Sequence, residues 1–83
     1  MTHNRANVEE YVRGIIAELL ELERDAVLPS SRLIEDLGAD SLHRVELVMA
    51  LEKAFNIEVS EDDAREFLSV QDVFNCVKRH TKL

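Results

Sequence analysis

The stretch "GADSLHRVEL", residues 38–47, contains residue types from which a covalent attachment site or an anion-binding site can be built. Gly38 permits a sharp turn, and Asp40 and Ser41 then stand directly before an apolar helical pattern. A serine in the first turn of a helix lies near unpaired backbone N–H groups and the positive end of the helix dipole. That environment favours a phosphate or phosphodiester on Ser41.

Two other roles for Ser41 compete with attachment. On Asp40 and Ser41 alone, an ordinary helix start with Asp40 as N-cap is the more frequent pattern. A serine nucleophile requires a nearby base and an oxyanion hole. Ala39 interrupts the G-D-S-L spacing of some lipases, and the chain is too short for their architecture. A structural cap and an attachment site therefore remain open.

Length and composition indicate one domain over residues 1–83, with frayed tails expected at 1–6 and 79–83. The hydrophobic content of 46% is typical of a globular chain, and no apolar run approaches the ~20 residues of a membrane span. The single cysteine, Cys76, excludes an intramolecular disulfide and is typical of a reducing compartment. The histidines are far apart in sequence, which predicts no metal site. We expect a cytoplasmic monomer.

Negative charge is concentrated in the middle of the chain. The net charge is −7, and residues 35–72 hold eleven acidic residues against Arg44, Lys53 and Arg65, a balance of −8. Such a surface repels nucleic acid and anionic membranes and attracts basic partners. It therefore indicates either a docking surface for basic proteins or a solubilising surface.

The hydrophobic periodicity predicts an all-α fold. Helices are expected over residues 8–20 and 41–55. Asn7 is expected to cap the first, with the Glu10 side chain accepting a hydrogen bond from the Asn7 N–H, and Asp40 to cap the second. Two further helices are predicted to begin at S-x-x-D capping boxes, Ser60 with Asp63 and Ser69 with Asp72. The first of these helices is short, with Ala64, Phe67 and Leu68 on one face. The predicted fold is a four-helix bundle of three main helices and one short helix.

The segment 21–39 has no helical period, and Pro29 and Gly38 interrupt it. We expect a long loop between the first two helices, with a short helical turn. Its apolar side chains are expected to fasten it to the core: Leu22, Val27, Leu28, Leu33, Ile34 and Leu37.

The helix predicted over 41–55 has two apolar stripes. The first contains Leu47, Val48, Leu51, Ala54 and Phe55, and suffices for packing into a bundle. The second contains Leu42, Val45 and Met49. We interpret this second stripe as a surface for a partner or for another part of the chain.

The residues "EDLGADSLHRVELVMALEKAFNIEVSEDDA", 35–64, resemble an acyl carrier protein, and the likeness extends from about Val8 to Val77. Asp40-Ser41-Leu42 matches the D-S-L attachment motif of that family. The resemblance implies that Ser41 carries 4′-phosphopantetheine, donated from coenzyme A by a separate phosphopantetheinyl transferase. The thiol of the arm, and not Cys76, would then hold the acyl group. Cys76 is expected on the core face of the last helix.

The resemblance also implies partners and cargo. The helix after the serine would be the recognition helix for acyl-processing enzymes with basic patches. The contacts with these enzymes would come from Leu42, Val45, Glu46, Met49 and Glu52 of this helix and from Glu61 beyond it. An interior lined by residues such as Val48, Leu51, Val59, Ala64 and Phe67 would shelter the acyl chain of fatty acid or polyketide synthesis.

The chain departs from the family pattern on this helix. His43 and Arg44 stand where the family has an acid and a small neutral residue, and Lys53 and Ala54 stand where acids are common. Because several charges are removed or reversed, partner choice is expected to differ. Two alternatives remain open: an aminoacyl or aryl carrier, and an acidic helical interaction module without a prosthetic group.

Overall fold

The computed structural model describes residues 5–81, with side chains described over 8–81. It contains four α-helices: α1 (Arg5–Leu20), α2 (Ser41–Phe55), α3 (Glu61–Arg65) and α4 (Val70–Thr81). A 3-10 turn (Arg24–Ala26) lies in the α1–α2 connection. Within residues 5–81, β-type pairing is confined to one isolated bridge, Arg32 with Ser69. The prediction of a small all-α bundle with one long loop is confirmed.

The core is formed by one apolar face from each main helix. Side chains spaced three or four residues apart become inaccessible together, which is the pattern of an amphipathic helix in a bundle. The fully buried positions include Val8, Val12 and Ile16 of α1, Leu51 of α2, and Val70, Val73, Phe74 and Val77 of α4. Leu47 of α2 is 3% exposed. The first stripe of α2 therefore packs into the bundle, as predicted.

The α1–α2 loop is fastened to the start of α4 by backbone hydrogen bonds. The Val70 N–H donates to the Ser31 carbonyl at 3.0 Å, and the Gln71 N–H donates to the Pro29 carbonyl at 2.9 Å. These bonds satisfy loop and helix-terminal groups at the same time.

Three of the six apolar loop residues pack against the core as predicted. Val27 and Leu33 are buried in it, and Leu37 is half-buried against it. Leu22 is half-buried but lies outside the core cluster. Leu28 and Ile34 are each 50% exposed, so the prediction that they fasten the loop to the core is wrong. The neighbouring buried residues and the backbone bonds already hold this segment.

Both predicted serine caps are present, and the one at Ser69 is a reciprocal capping box. The Ser60 Oγ accepts from the Asp63 N–H at 3.0 Å. At the start of α4, the Ser69 Oγ accepts from the Asp72 N–H at 3.3 Å, and the Asp72 carboxylate accepts from the Ser69 N–H at 2.9 Å. Short polar side chains thus define where α3 and α4 begin.

Several helix ends differ from the sequence prediction. Helix α1 begins at Arg5, so Asn7 lies inside the helix and is not its cap. Helix α3 ends at Arg65, so the buried Phe67 and the exposed Leu68 follow it. Helix α4 continues to Thr81, so residues 79–81 are helical and not frayed. Residues 1–4, 82 and 83 of the expected tails lie outside the described residues.

The helices in the described part of the chain are too short or too polar to cross a membrane.

Candidate functional site

The turn that leads into α2 depends on Gly38. Its φ is +77°, in the left-handed region that residues with a side chain rarely adopt. A Cβ at this position would meet no atom within 4 Å, so the backbone dihedral, and not space, requires glycine. The next residue, Ala39, is 6% exposed and anchors the chain to the core. The two residues that follow reach the surface.

Asp40 and His43 cap α2 reciprocally. The Asp40 Oδ1 accepts from the His43 N–H at 2.9 Å, and the Asp40 N–H donates to the His43 Nδ1 at 3.2 Å. The hydrogen bond from the His43 N–H is also the largest cause of the lowered pKa of Asp40. Asp40 was predicted as the cap, which is confirmed. The role of His43 was missed, although it occupies the position where capping boxes place glutamate or glutamine.

Ser41 is the first residue of α2 and is exposed. Among the described residues, no hydrogen bond engages its hydroxyl. Its oxygen is therefore accessible to an external enzyme. The neighbouring residue of the D-S-L motif, Leu42, is 65% exposed although its side chain is large and apolar.

A cavity of about 350 Å³ lies between α2 and α3, and Ser41 forms part of its wall. Most of its accessible surface is apolar. The apolar lining residues are Val45, Val48, Met49, Val59 and Ala64; the polar ones are Ser41, Arg44, Ser60, Glu61 and Arg65. Of the interior predicted from sequence, Val48, Val59 and Ala64 line this cavity. Leu51 and Phe67 are instead buried in the core.

Arg44 connects α2 with α3 at this cavity. Its Nη2 donates to the Ala64 carbonyl at 2.7 Å, a half-buried contact between residues 20 positions apart in the chain. In the described part of the chain, this carbonyl, and not a carboxylate, is its hydrogen-bond partner. From sequence, Arg44 is predicted only as a changed surface charge, because its contact with Ala64 depends on where α3 packs.

The predicted partner residues form a partly apolar surface on α2. Val45 and Met49 are 56% and 62% exposed, and together with Leu42 they leave the second stripe of α2 accessible. Glu46 is also exposed and stands between Val45 and the buried Leu47 in sequence. Large apolar side chains beside an acid form a surface suited to a partner with apolar and basic groups.

The two remaining predicted partner acids differ in environment. The Glu61 side chain is 92% exposed and pairs with Arg65 at 3.7 Å. Glu52 instead accepts a hydrogen bond from the Val59 N–H at 2.9 Å, in a half-buried contact. Glu52 therefore stabilises the α2–α3 connection, and its carboxylate is less accessible to a partner than that of Glu46.

Comparison with known proteins finds relatives among the acyl carrier proteins over most of the chain. The family described as "Phosphopantetheine attachment site" matches residues 10–77. The acyl carrier protein of Campylobacter concisus is 47% identical over 72 residues, which are 87% of this chain and 94% of that protein. The acyl carrier protein of Buchnera aphidicola is 43% identical over 74 residues, which are 89% and 95% of the two chains.

A solved structure, a putative acyl carrier protein from Mycobacterium tuberculosis, has a TM-score of 0.83 and 33% sequence identity. It covers 87% of this chain, and the match includes 96% of that structure. Sequence and fold agree, and both place the exposed serine in a carrier domain. The chain belongs to the acyl carrier proteins, the family that holds 4′-phosphopantetheine as a covalent prosthetic group.

Proposed function

We propose that this chain carries acyl groups on a 4′-phosphopantetheine arm attached to Ser41. It would present them to enzymes of fatty acid, polyketide or specialised lipid synthesis, without itself catalysing a reaction. One observation carries this proposal: an exposed serine begins α2 at the wall of a largely apolar cavity. The arm, donated from coenzyme A by a phosphopantetheinyl transferase, supplies a thiol for thioester formation.

The residues around Ser41 suit a phosphodiester. The hydroxyl is exposed and supplies the oxygen that joins the phosphate. Arg44, one turn further on, lines the same cavity as Ser41 and offsets the negative charge that the phosphate would add.

Attachment is tested by intact mass. Incubation with coenzyme A and a broad-specificity transferase is expected to add the mass of one phosphopantetheine to the chain and none to Ser41→Ala. Ser30→Ala is the matched control, because Ser30 is also exposed but lies in the loop. Labelling of Ser41→Ala, or no labelling of the native chain by any transferase in a panel, would contradict the proposal.

The docking surface would combine Leu42, Val45 and Met49 with the charges of Glu46 and Glu61. A basic partner is attracted over a Debye length of about 8–10 Å, and the apolar stripe then becomes buried. We expect Glu46→Lys to slow transferase loading several-fold at low salt, with the difference shrinking as salt is added.

Glu23→Lys is the control for this charge reversal. Glu23 is exposed in the α1–α2 loop and its side chain makes no cap hydrogen bond, so the same change of charge occurs away from α2. Equal slowing by both variants would show that net charge, and not this surface, governs the encounter.

The cavity favours apolar acyl cargo over aminoacyl cargo. Its ionisable lining consists of Arg44, Arg65 and Glu61, whose net positive charge disfavours an ammonium group. Burial of each methylene is worth about 0.8 kcal/mol, so the free energy of unfolding should rise with chain length until the cavity is filled. Urea denaturation of a series of acyl forms measures this. A free energy that is independent of chain length would contradict burial of the cargo here.

The exposed stripe of α2 also suits an interaction module that needs no arm. In that case Ser41→Ala would leave binding to a partner enzyme unchanged, and Met49→Asp would abolish it. For a carrier, we expect Ser41→Ala to remove loading and cargo transfer while the fold is retained. A cytoplasmic location and a monomeric state remain part of the proposal.

A further inference from the structure

Helices α3 and α4 bring together three side chains of metal-ligand type. Asp63, Cys76 and His80 each offer one ligand atom, and these atoms all lie within 4.8 Å of one another. The carrier function uses none of them. We infer that this cluster binds a zinc-type divalent cation.

The placement of the three groups is set by both helices. Cys76 and His80 are four residues apart on α4 and therefore share a face. Asp63, in the first turn of α3, has one carboxylate oxygen 3.1 Å from the His80 Nε2. Its other oxygen accepts from the Arg79 guanidinium at 3.2 Å. Arg79 thus orients the carboxylate while leaving the oxygen beside the imidazole available.

The distances suit a small tetrahedral ion. With metal–oxygen and metal–nitrogen bonds of about 2.0–2.1 Å, two tetrahedral ligand atoms lie about 3.3 Å apart. The Asp63–His80 separation of 3.1 Å is close to this value. A metal–sulfur bond of about 2.3 Å places the sulfur about 3.5 Å from the other ligand atoms, so Cys76 must approach by up to about 1.3 Å. The Asp63 and His80 side chains are 24% and 31% exposed, so solvent can supply the fourth ligand.

The donor set determines the class of metal. A thiolate, an imidazole and a carboxylate favour Zn²⁺ or Co²⁺, whereas Mg²⁺ and Ca²⁺ prefer oxygen ligands alone. Binding forms a metal–sulfur bond and releases the Cys76 thiol proton to the solvent. Zn²⁺ with one thiolate, one carboxylate and a neutral imidazole has no net charge, which limits repulsion of Arg79.

Co²⁺ titration of the full chain tests the inference directly. Ser41→Ala is included in every sample, so that no attached thiol competes for the metal and the result is independent of the carrier function. We expect a sulfur-to-cobalt charge-transfer band in the near ultraviolet, visible tetrahedral cobalt bands, and loss of both on addition of Zn²⁺. Excess Mg²⁺ should leave them unchanged.

Matched substitutions identify the ligands. His80→Asn is expected to lower Co²⁺ affinity by about tenfold or more, since even outer-shell partners contribute about 10–100-fold. Asp62→Asn removes a carboxylate next to Asp63 on α3 that is not a proposed ligand and whose side chain is 88% exposed, and it should leave the affinity unchanged. Cys76→Ala should abolish the charge-transfer band.

Two results would overturn the inference: absence of that band at saturating Co²⁺, or equal affinities of the native, His80→Asn and Asp62→Asn chains. Because His80 is near the exposed end of α4, its substitution tests the site even where Cys76→Ala fails to fold.

Discussion

The contact between Arg44 and the Ala64 carbonyl should hold α3 against α2, and Arg44→Gln tests this. No side chain of α3 is fully buried, so polar contacts with its neighbours contribute much of its attachment. A hydrogen bond to a charged donor contributes about 1.5–3 kcal/mol, and partial solvent screening lowers this to about 1 kcal/mol here. In a domain of this size, that corresponds to a fall in Tm of about 4–8 °C.

Arg65→Gln is the control for this prediction. Arg65 lines the same cavity, but its side chain is 73% exposed and its ion pairs are with Glu61 and Asp62 of its own helix. Pairs of this kind contribute about 0.2–0.5 kcal/mol each to a helix. Urea and thermal denaturation should therefore show a smaller loss for Arg65→Gln than for Arg44→Gln.

Hydrogen exchange shows where Arg44→Gln destabilises the chain. The Phe67 N–H donates to the same Ala64 carbonyl, so its protection should fall in Arg44→Gln and remain in Arg65→Gln. Arg44→Lys, which keeps the charge but not the planar fork, should recover only part of the stability. Equal destabilisation by Arg44→Gln and Arg65→Gln, with unchanged protection at Phe67, would refute the reasoning.

Three further predictions concern the Asp40 cap of α2, the core, and the loss of stability at low pH. Asp40→Ala should speed hydrogen exchange of the His43 N–H, whereas Asp40→Asn should retain protection because its side-chain oxygen still accepts; equal exchange would contradict this cap. Phe67→Ala, at a side chain 1% exposed, should lower the free energy of unfolding by about 3–5 kcal/mol, and Leu68→Ala, at one 65% exposed, by about 0.5 kcal/mol or less, both measured in urea. The pKa of Asp63 is lowered below its ordinary 3.8 in the folded state, first by its histidine hydrogen-bond partner, so its contribution is present above that value and lost as pH falls through the folded-state pKa. Asp63→Asn should therefore reduce the loss of unfolding free energy from about pH 5 downward. An unchanged pH dependence in this variant would show that other carboxylates cause the loss.

Local sequence information was sufficient wherever an element is specified by its own residues. The bounds of α2 were predicted because Asp40 caps it and apolar periodicity continues to Phe55. The Ser60 and Ser69 caps were likewise recognisable within four residues. The start of α1 was misplaced because Asn7, a residue type frequent at N-caps, lies two residues inside the helix.

The candidate site was predicted only in part. The D-S-L motif is contiguous, so Ser41 and its exposed neighbour Leu42 were identified from sequence alone. Glu52 was assigned to a partner surface because its charge was visible in the sequence and its hydrogen bond to the Val59 N–H was not. A charge pattern cannot distinguish a free acid from one that satisfies a backbone group.

Sequence by itself thus determined the family, the helical class and the serine at the start of α2. Tertiary packing decided that the second stripe of α2 is left uncovered, that Arg44 contacts α3 across 20 positions, and that Asp63 meets Cys76 and His80. The physical reason is the distance along the chain over which each interaction acts. Caps and periodicity act within one or two helical turns, whereas contacts between helices depend on how distant apolar faces pack together.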